Sequence, residues 1–263
     1  MSKTIFCGCS YVEGTGFSQQ KKEPNLWVNL LQGSEFLKDS ELVNVGLAGR
    51  SNQGIFSDAV WHLVHDHYDY AFVCWTSVPR YEMELGLEEY VTRQVFIPNL
   101  QMHDHHLNDV VYDKGYLSKI NDRFVSLAHP HFEIVQLLFY INSLIKLADL
   151  VGTKLFFINS MCPWDAGYFN KMENVLPEKY TDFTKKNLNV CNRDDDDVFR
   201  IYDKMHKEYA STGGINEHHW LNLYQSLRLL LIDTNEDGVH PGIKSNQIFG
   251  DFLKSRLKDK LQA

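Results

Sequence analysis

The sequence predicts an α/β fold, a three-layer α/β/α sandwich around a mainly parallel sheet. Three observations predict it. Strand-like apolar runs alternate with segments of helical period along the first third of the chain. Two runs, Phe72-Val73-Cys74-Trp75 and Leu155-Phe156-Phe157-Ile158, are apolar at successive positions, the pattern of strands buried on both faces. No internal repeat or low-complexity linker divides the 263 residues, so one domain is expected over 1–263.

The elements follow in order. Residues 4–8 read as the first strand, leading into Gly8-Cys9-Ser10. Residues 25–32 carry Leu26, Trp27, Leu30 and Leu31 at helical spacing. Residues 41–46 form a second strand and 52–66 an amphipathic helix. A third strand lies within 68–77, a long helix near 132–150 and a strand over 154–160. A closing helix follows Gly242. Two stretches break the rhythm, 96–131 and 161–222. Both are expected as insertions at the C-terminal edge or side of the sheet, where such segments serve as lids or specificity walls.

Composition narrows the functional classes. A hydrophobic content of 44% and an aromatic content of 13% belong to a folded chain. The net charge of −8 and the absence of a Lys/Arg run argue against a nucleic-acid partner. The most apolar stretch, 134–160, is broken by Lys146, Asp149 and Gly152, so it reads as helix then strand and predicts no membrane span. The N-terminus enters a strand without a signal-peptide pattern. The five cysteines are odd in number, and Cys7, Cys9 and Cys74 lie in or beside apolar runs. Reduced, buried thiols in a cytoplasmic setting are expected.

Chemistry is suggested by three separated stretches. Ser10 stands at the tip of the first strand among glycines, where it either caps the next helix or acts as a nucleophile. Asp237 and His240 are three apart in a Gly-containing loop, a spacing that lets the carboxylate reach Nδ1 and leaves Nε2 to take a proton from a serine. The turn "NVGLAGRSNQGI" offers backbone N–H groups from a glycine-rich strand-to-helix junction. Nucleophile, oriented base and oxyanion donors together are what acyl transfer needs.

On these residues the chain resembles the GDSL/SGNH hydrolases, along almost its whole length. The first block, Gly-Asp-Ser in that family, is Gly8-Cys9-Ser10 here. The second, Asn-x-x-x-x-Gly, is matched by Asn44 and Gly49, and the last, Asp-x-x-His-Pro, by Asp237, His240 and Pro241. The resemblance implies Ser10 as nucleophile, His240 as base, Asp237 as its orienting acid, and the N–H groups of Ser10 and Gly49 as oxyanion donors. It implies no metal or organic cofactor and a small-molecule or carbohydrate ester as substrate. Two positions depart from the pattern. Cys9 replaces the aspartate before the serine, which raises Cys9 as a rival nucleophile. The third block, normally Gly-x-Asn-Asp, reads "CWTSVPRYE" and has no asparagine. Thr76 or Ser77 is then the candidate side-chain donor, and Arg80 a candidate for the oxyanion or an anionic substrate group. Arg80 reads equally as a surface partner of Glu82 or Glu84.

Other features carry blander readings. The clusters at 103–106, 129–131 and 217–219 are polar loops rather than converging metal ligands. Asp194 to Asp197 lack the ligand spacing of a calcium loop. Gly14-x-Gly16 lacks the rest of a phosphate-binding motif. Trp164, Tyr168, Phe169 and Trp220 suit core or lid packing, or stacking on a sugar. Two further function classes stay open: a non-catalytic binding or assembly module on the same fold, and acyl transfer to an acceptor other than water.

Overall fold

The computed structural model describes residues 2–18, 24–76, 81–87, 90–96, 130–160, 217–222, 226–238 and 240–262. Elements are numbered among these. Strand β1 spans Ser2–Gly8 and runs into a short helix, α1, Ser10–Glu13. Then come α2 (Trp27–Gln32), β2 (Ser40–Asn44), α3 (Asn52–His65) and β3 (Tyr70–Trp75). An antiparallel hairpin of β4 (Tyr81–Leu87) and β5 (Tyr90–Phe96) follows. The chain continues with α4 (Pro130–Val151), β6 (Lys154–Asn159) and α5 (Ile243–Gln262).

The main sheet has the order β2-β1-β3-β6, all parallel. The chain moves one way from β1 to β2 and the other way from β2 to β3. Right-handed crossovers therefore send α2 and α3 to opposite faces. α2 packs on α5, and α3 packs on α4. The result is the expected α/β fold, two helical layers enclosing a parallel sheet. Trp220 adds a single parallel bridge to Phe157 beyond β6, and Leu221 N–H donates to the Phe157 carbonyl (3.0 Å).

Burial on both faces explains the uninterrupted apolar strands. Phe6, Phe72 and Phe156 are register partners across β1, β3 and β6 and share one face. Their rings stack at 4.7 and 5.3 Å, and Trp27 of α2 stands edge-on to Phe6 at 6.0 Å. Each such pair contributes about 0.5–1.5 kcal/mol beyond its buried area. On the other face Trp75 packs on Phe157, while Phe56 of α3 stacks on Tyr140 of α4 at 4.5 Å.

Three boundaries differ from the sequence reading. The hairpin β4–β5 was not among the expected strands. The stretch 161–222 was expected as one insertion, yet Trp220 is buried beside β6 and Asn222 is clamped to Asn159, so the core resumes before that stretch ends. The stretch 96–131 likewise overlaps the first residues of α4, which begins at Pro130. No helix among the described residues is long and apolar enough to cross a membrane.

Candidate active site

Ser10 sits where β1 ends. Cys9 keeps extended backbone (φ −92°, ψ −158°), and its carbonyl accepts the first helical bonds from Val12 and Glu13. Ser10 is thereby the first residue of α1 at the C-terminal edge of the sheet. A Cβ on Gly8 would lie 2.3 Å from Val12 Cγ2, so only glycine lets α1 fold back over the end of β1. Ser10 is 7% exposed, whereas Cys9 is fully buried, with its Sγ 3.8 Å from Ser160 Oγ.

The second block arches over the same strand end. Val45 and Leu47 N–H groups extend the β1 ladder by donating to the Phe6 and Gly8 carbonyls. Asn44 holds the turn: its Nδ2 donates to the Val12 carbonyl of α1 (2.8 Å) and its Oδ1 accepts the Gly46 N–H (2.9 Å). Gly49 adopts φ 77°, the left-handed region. Ser51 Oγ caps α3 by accepting the Gly54 N–H (3.1 Å). Asn52 then grips the far side of β1: its Oδ1 accepts the Thr76 N–H (2.9 Å) and its Nδ2 donates to the Thr76 carbonyl (3.3 Å). Because β1 lies between β2 and β3, the stretch 47–52 crosses the end of β1, where Ser10 emerges. Arg50, 5% exposed, is fixed by a two-point ion pair with Asp58, whose Oδ2 accepts from Arg50 Nε at 2.7 Å.

Asp237 and His240 occupy a tight hairpin. Its stem is an antiparallel bridge between Thr234 and Pro241, with Asn235 N–H bonded to the His240 carbonyl (2.8 Å). Gly238 turns the tip with φ 68°. Asp237 Oδ1 accepts the His240 N–H (2.9 Å) and Oδ2 pairs with His240 Nδ1 (2.7 Å). The pairing puts the proton on Nδ1 and leaves Nε2 as the acceptor in the neutral ring. Both side chains are partly exposed.

The hairpin is anchored at both ends. Asp233 accepts the backbone N–H groups of Lys244 and Ser245 (3.0 and 2.7 Å), so it caps α5. Asn246 donates to the Pro241 and Gly242 carbonyls and accepts the Trp27 N–H (3.1 Å), which ties the hairpin to α2. Gly16 abuts Asp237: a Cβ there would lie 2.5 Å from Asp237 Oδ2. Thus Gly16, the second glycine of what resembles half a phosphate motif, makes room for the carboxylate of the Asp–His pair.

The structure brings Asp237 to His240, Gly16 beside Asp237, and Thr76 to the turn that carries Gly49. Thr76 is 4% exposed, and its Oγ1 has no hydrogen-bond partner among the described residues. Ser77 and Arg80 lie outside the described residues, as do the stretch 103–106, Asp194 to Asp197, Trp164, Tyr168 and Phe169. Among the described residues no group of three or more His, Cys, Asp or Glu side chains converges as a metal site. His219 Nδ1–H donates to the Leu155 carbonyl (3.0 Å). Trp220 is a core residue against Phe157. Cys7, Cys9 and Cys74 are buried free thiols, and burial raises the pKa of Cys7 and Cys74.

Sequence reasoning missed Asn52, Asp233 and Asn246. Asn52 and Asn246 are polar residues near a helix start, a position that signals capping, whereas Asp233 precedes its helix across the whole hairpin. Nothing in their spacing shows that Asn52 holds a strand end and Asn246 a second helix.

No protein-family model matches the chain, and none of the curated proteins matches it. Among solved structures, the chain is similar to TesA at 13% identity, with 98% of this chain and 99% of that one covered and a TM-score of 0.48. It is similar to the psychrotrophic esterase EstA from Pseudoalteromonas sp. at 13% identity, with both chains fully covered and a TM-score of 0.49. It is similar to the acetylxylan esterase Axe2 from Geobacillus stearothermophilus at 12% identity, with 97% and 94% covered and a TM-score of 0.43. The α/β fold itself rests on the strand order and helix placement of this chain.

Proposed function

We propose that the chain is a serine esterase of the SGNH type that hydrolyses a small acyl ester, such as an acetyl group on a carbohydrate. The observation that carries this reading is the Asp237–His240 pair docked against Gly16, six residues after a serine at the strand end. Ser10 Oγ attacks the ester carbonyl as His240 Nε2 takes its proton. The carbonyl π electrons move to oxygen, where the N–H groups of Ser10 and Gly49 receive the charge. The tetrahedral intermediate collapses, the C–O bond to the alcohol breaks, and His240 protonates the departing oxygen. Water, deprotonated by His240, releases the acyl group from Ser10 by the same route. Asp237 fixes the tautomer and stabilises the imidazolium. Correctly placed general-base catalysis contributes roughly 10²–10⁴-fold.

The test is hydrolysis of p-nitrophenyl acetate and butyrate by wild type and Ser10→Ala, with fluorophosphonate labelling. Turnover and labelling by wild type alone support the reading. A folded wild type that does neither would favour the second reading, a binding or assembly module, which the missing third-block asparagine supports.

A further inference from the structure

We propose that the Thr76 hydroxyl, rather than that of Ser77, is the side-chain donor to the oxyanion, and that Asn52 is the positioning residue that holds it. This rests on the acyl-transfer reading above. Three observations converge on it. The last register pair of β1 and β3 is Gly8–Cys74, and two residues further along each chain come Ser10 and Thr76. The two hydroxyl-bearing residues therefore leave adjacent strands at the same level. Next, Asn52 bonds both the N–H and the carbonyl of Thr76, which fixes the backbone from which the side chain departs. That asparagine opens α3, directly after the turn that carries Gly49. One amide thus couples the backbone donor to the side-chain donor.

Finally, the hydroxyl is uncommitted. Thr76 Oγ1 is buried with no partner among the described residues, a state that costs stability and needs a reason. At the same sheet edge Ser160 Oγ donates to the Trp75 carbonyl (2.7 Å), so that hydroxyl is engaged. Trp75 Nε1, on a ring packed against Phe157, is buried without a partner among the described residues, as Thr76 Oγ1 is. A donor that acquires its partner only when charge develops on the carbonyl oxygen stabilises the transition state more than the ground state. Its bond forms to the oxygen that receives the carbonyl electrons. The proton stays on Oγ1 throughout, so no further reactant is needed.

The experiment compares Thr76→Val, Thr76→Ser, Ser77→Ala, Asn52→Ala and the Asn52→Ala/Thr76→Val double variant on p-nitrophenyl acetate. Melting temperatures and fluorophosphonate labelling accompany the rates. For Thr76→Val, kcat is expected to fall roughly 10²–10³-fold, with KM within about threefold of wild type. Thr76→Ser recovers most of the rate, and a loss in Ser77→Ala as large as that in Thr76→Val would overturn the choice of Thr76 over Ser77. Asn52→Ala lowers kcat alone but adds nothing in the Thr76→Val background, since its effect passes through that hydroxyl. Additive losses would overturn the positioning role. If Thr76→Val does not fold, Thr76→Ala and Thr76→Ser are compared instead, because they differ only in the hydroxyl. Wild-type kcat in Thr76→Val, or in Thr76→Ala, with Ser10→Ala inactive, overturns the Thr76 assignment and leaves the triad standing. A folded wild type with neither turnover nor labelling overturns the acyl-transfer reading and this assignment with it.

Discussion

Asp237 holds His240 at two points, taking its backbone N–H with one carboxylate oxygen and its ring Nδ1 with the other. The three-residue spacing closes the loop around a single carboxylate, so the ring cannot turn without breaking a bond. Asp237→Asn keeps the size but removes the charge and one acceptor. On the acyl-transfer reading, kcat is expected to fall roughly 10²–10⁴-fold. Folding should be little affected, because the pair is partly exposed. Steady-state rates and a melting curve on one preparation check both statements.

Gly16→Ala tests the contact between the stretch after Ser10 and the Asp237–His240 hairpin. The added methyl group would meet Asp237 Oδ2 at 2.5 Å, on a backbone at φ 88°. The carboxylate can swing away, so folding survives at a cost of about 1 kcal/mol for the left-handed conformation. The carboxylate then leaves His240 Nδ1. Activity is expected to drop at least as far as in Asp237→Asn, while a urea titration records only the small loss of stability.

Arg50→Met separates the turn from its anchor. Asp58 would lose its partner at a site where Arg50 is buried and Asp58 a quarter exposed. A loss of roughly 2–3 kcal/mol is expected, less than for a fully buried pair broken on one side. The double variant Arg50→Met/Asp58→Leu should recover part of it. Equilibrium denaturation of the three proteins measures the coupling.

The buried thiols set an alkaline limit. Cys7 and Cys74 have pKa values raised by burial above the ordinary value near 9. The folded state thus holds these protons more tightly than the unfolded state. Their contribution is complete below pH 9 and is lost as pH rises from there towards the folded values. Denaturation midpoints between pH 8 and 10.5 should fall, and Cys7→Ala should flatten the decline. Iodoacetamide at pH 8 should leave Cys7, Cys9 and Cys74 unmodified in the native protein and label all three in urea. Prompt native alkylation of Cys9 would instead revive it as a nucleophile.

Much of the fold was legible because β1, β3 and β6 are buried on both faces, which forces runs such as Phe72-Val73-Cys74-Trp75. The β4–β5 hairpin was not foreseen, although Met83 and Leu85 alternate with Glu82 and Glu84. A reading tuned to continuous apolar runs passes over that pattern. The Asp237–His240 pair was legible because it is local, a few residues within one turn. The Asn52–Thr76 clasp was not, since twenty-four residues and a whole helix separate its partners and no spacing rule links them. Gly16 was visible as a glycine but not as a neighbour of Asp237, which only the folded chain supplies.

That last neighbourhood bears on biosynthesis. Gly16 faces Asp237, and Trp27 is tied to Asn246, so two stretches far apart in the sequence close on each other. Ser10 leaves the ribosome before His240, which follows it in the chain. On the acyl-transfer reading, every nascent or stalled chain therefore displays a serine with no base beside it. Unfinished copies are chemically silent towards esters, and activity reports that translation has run through the hairpin and its supporting helix.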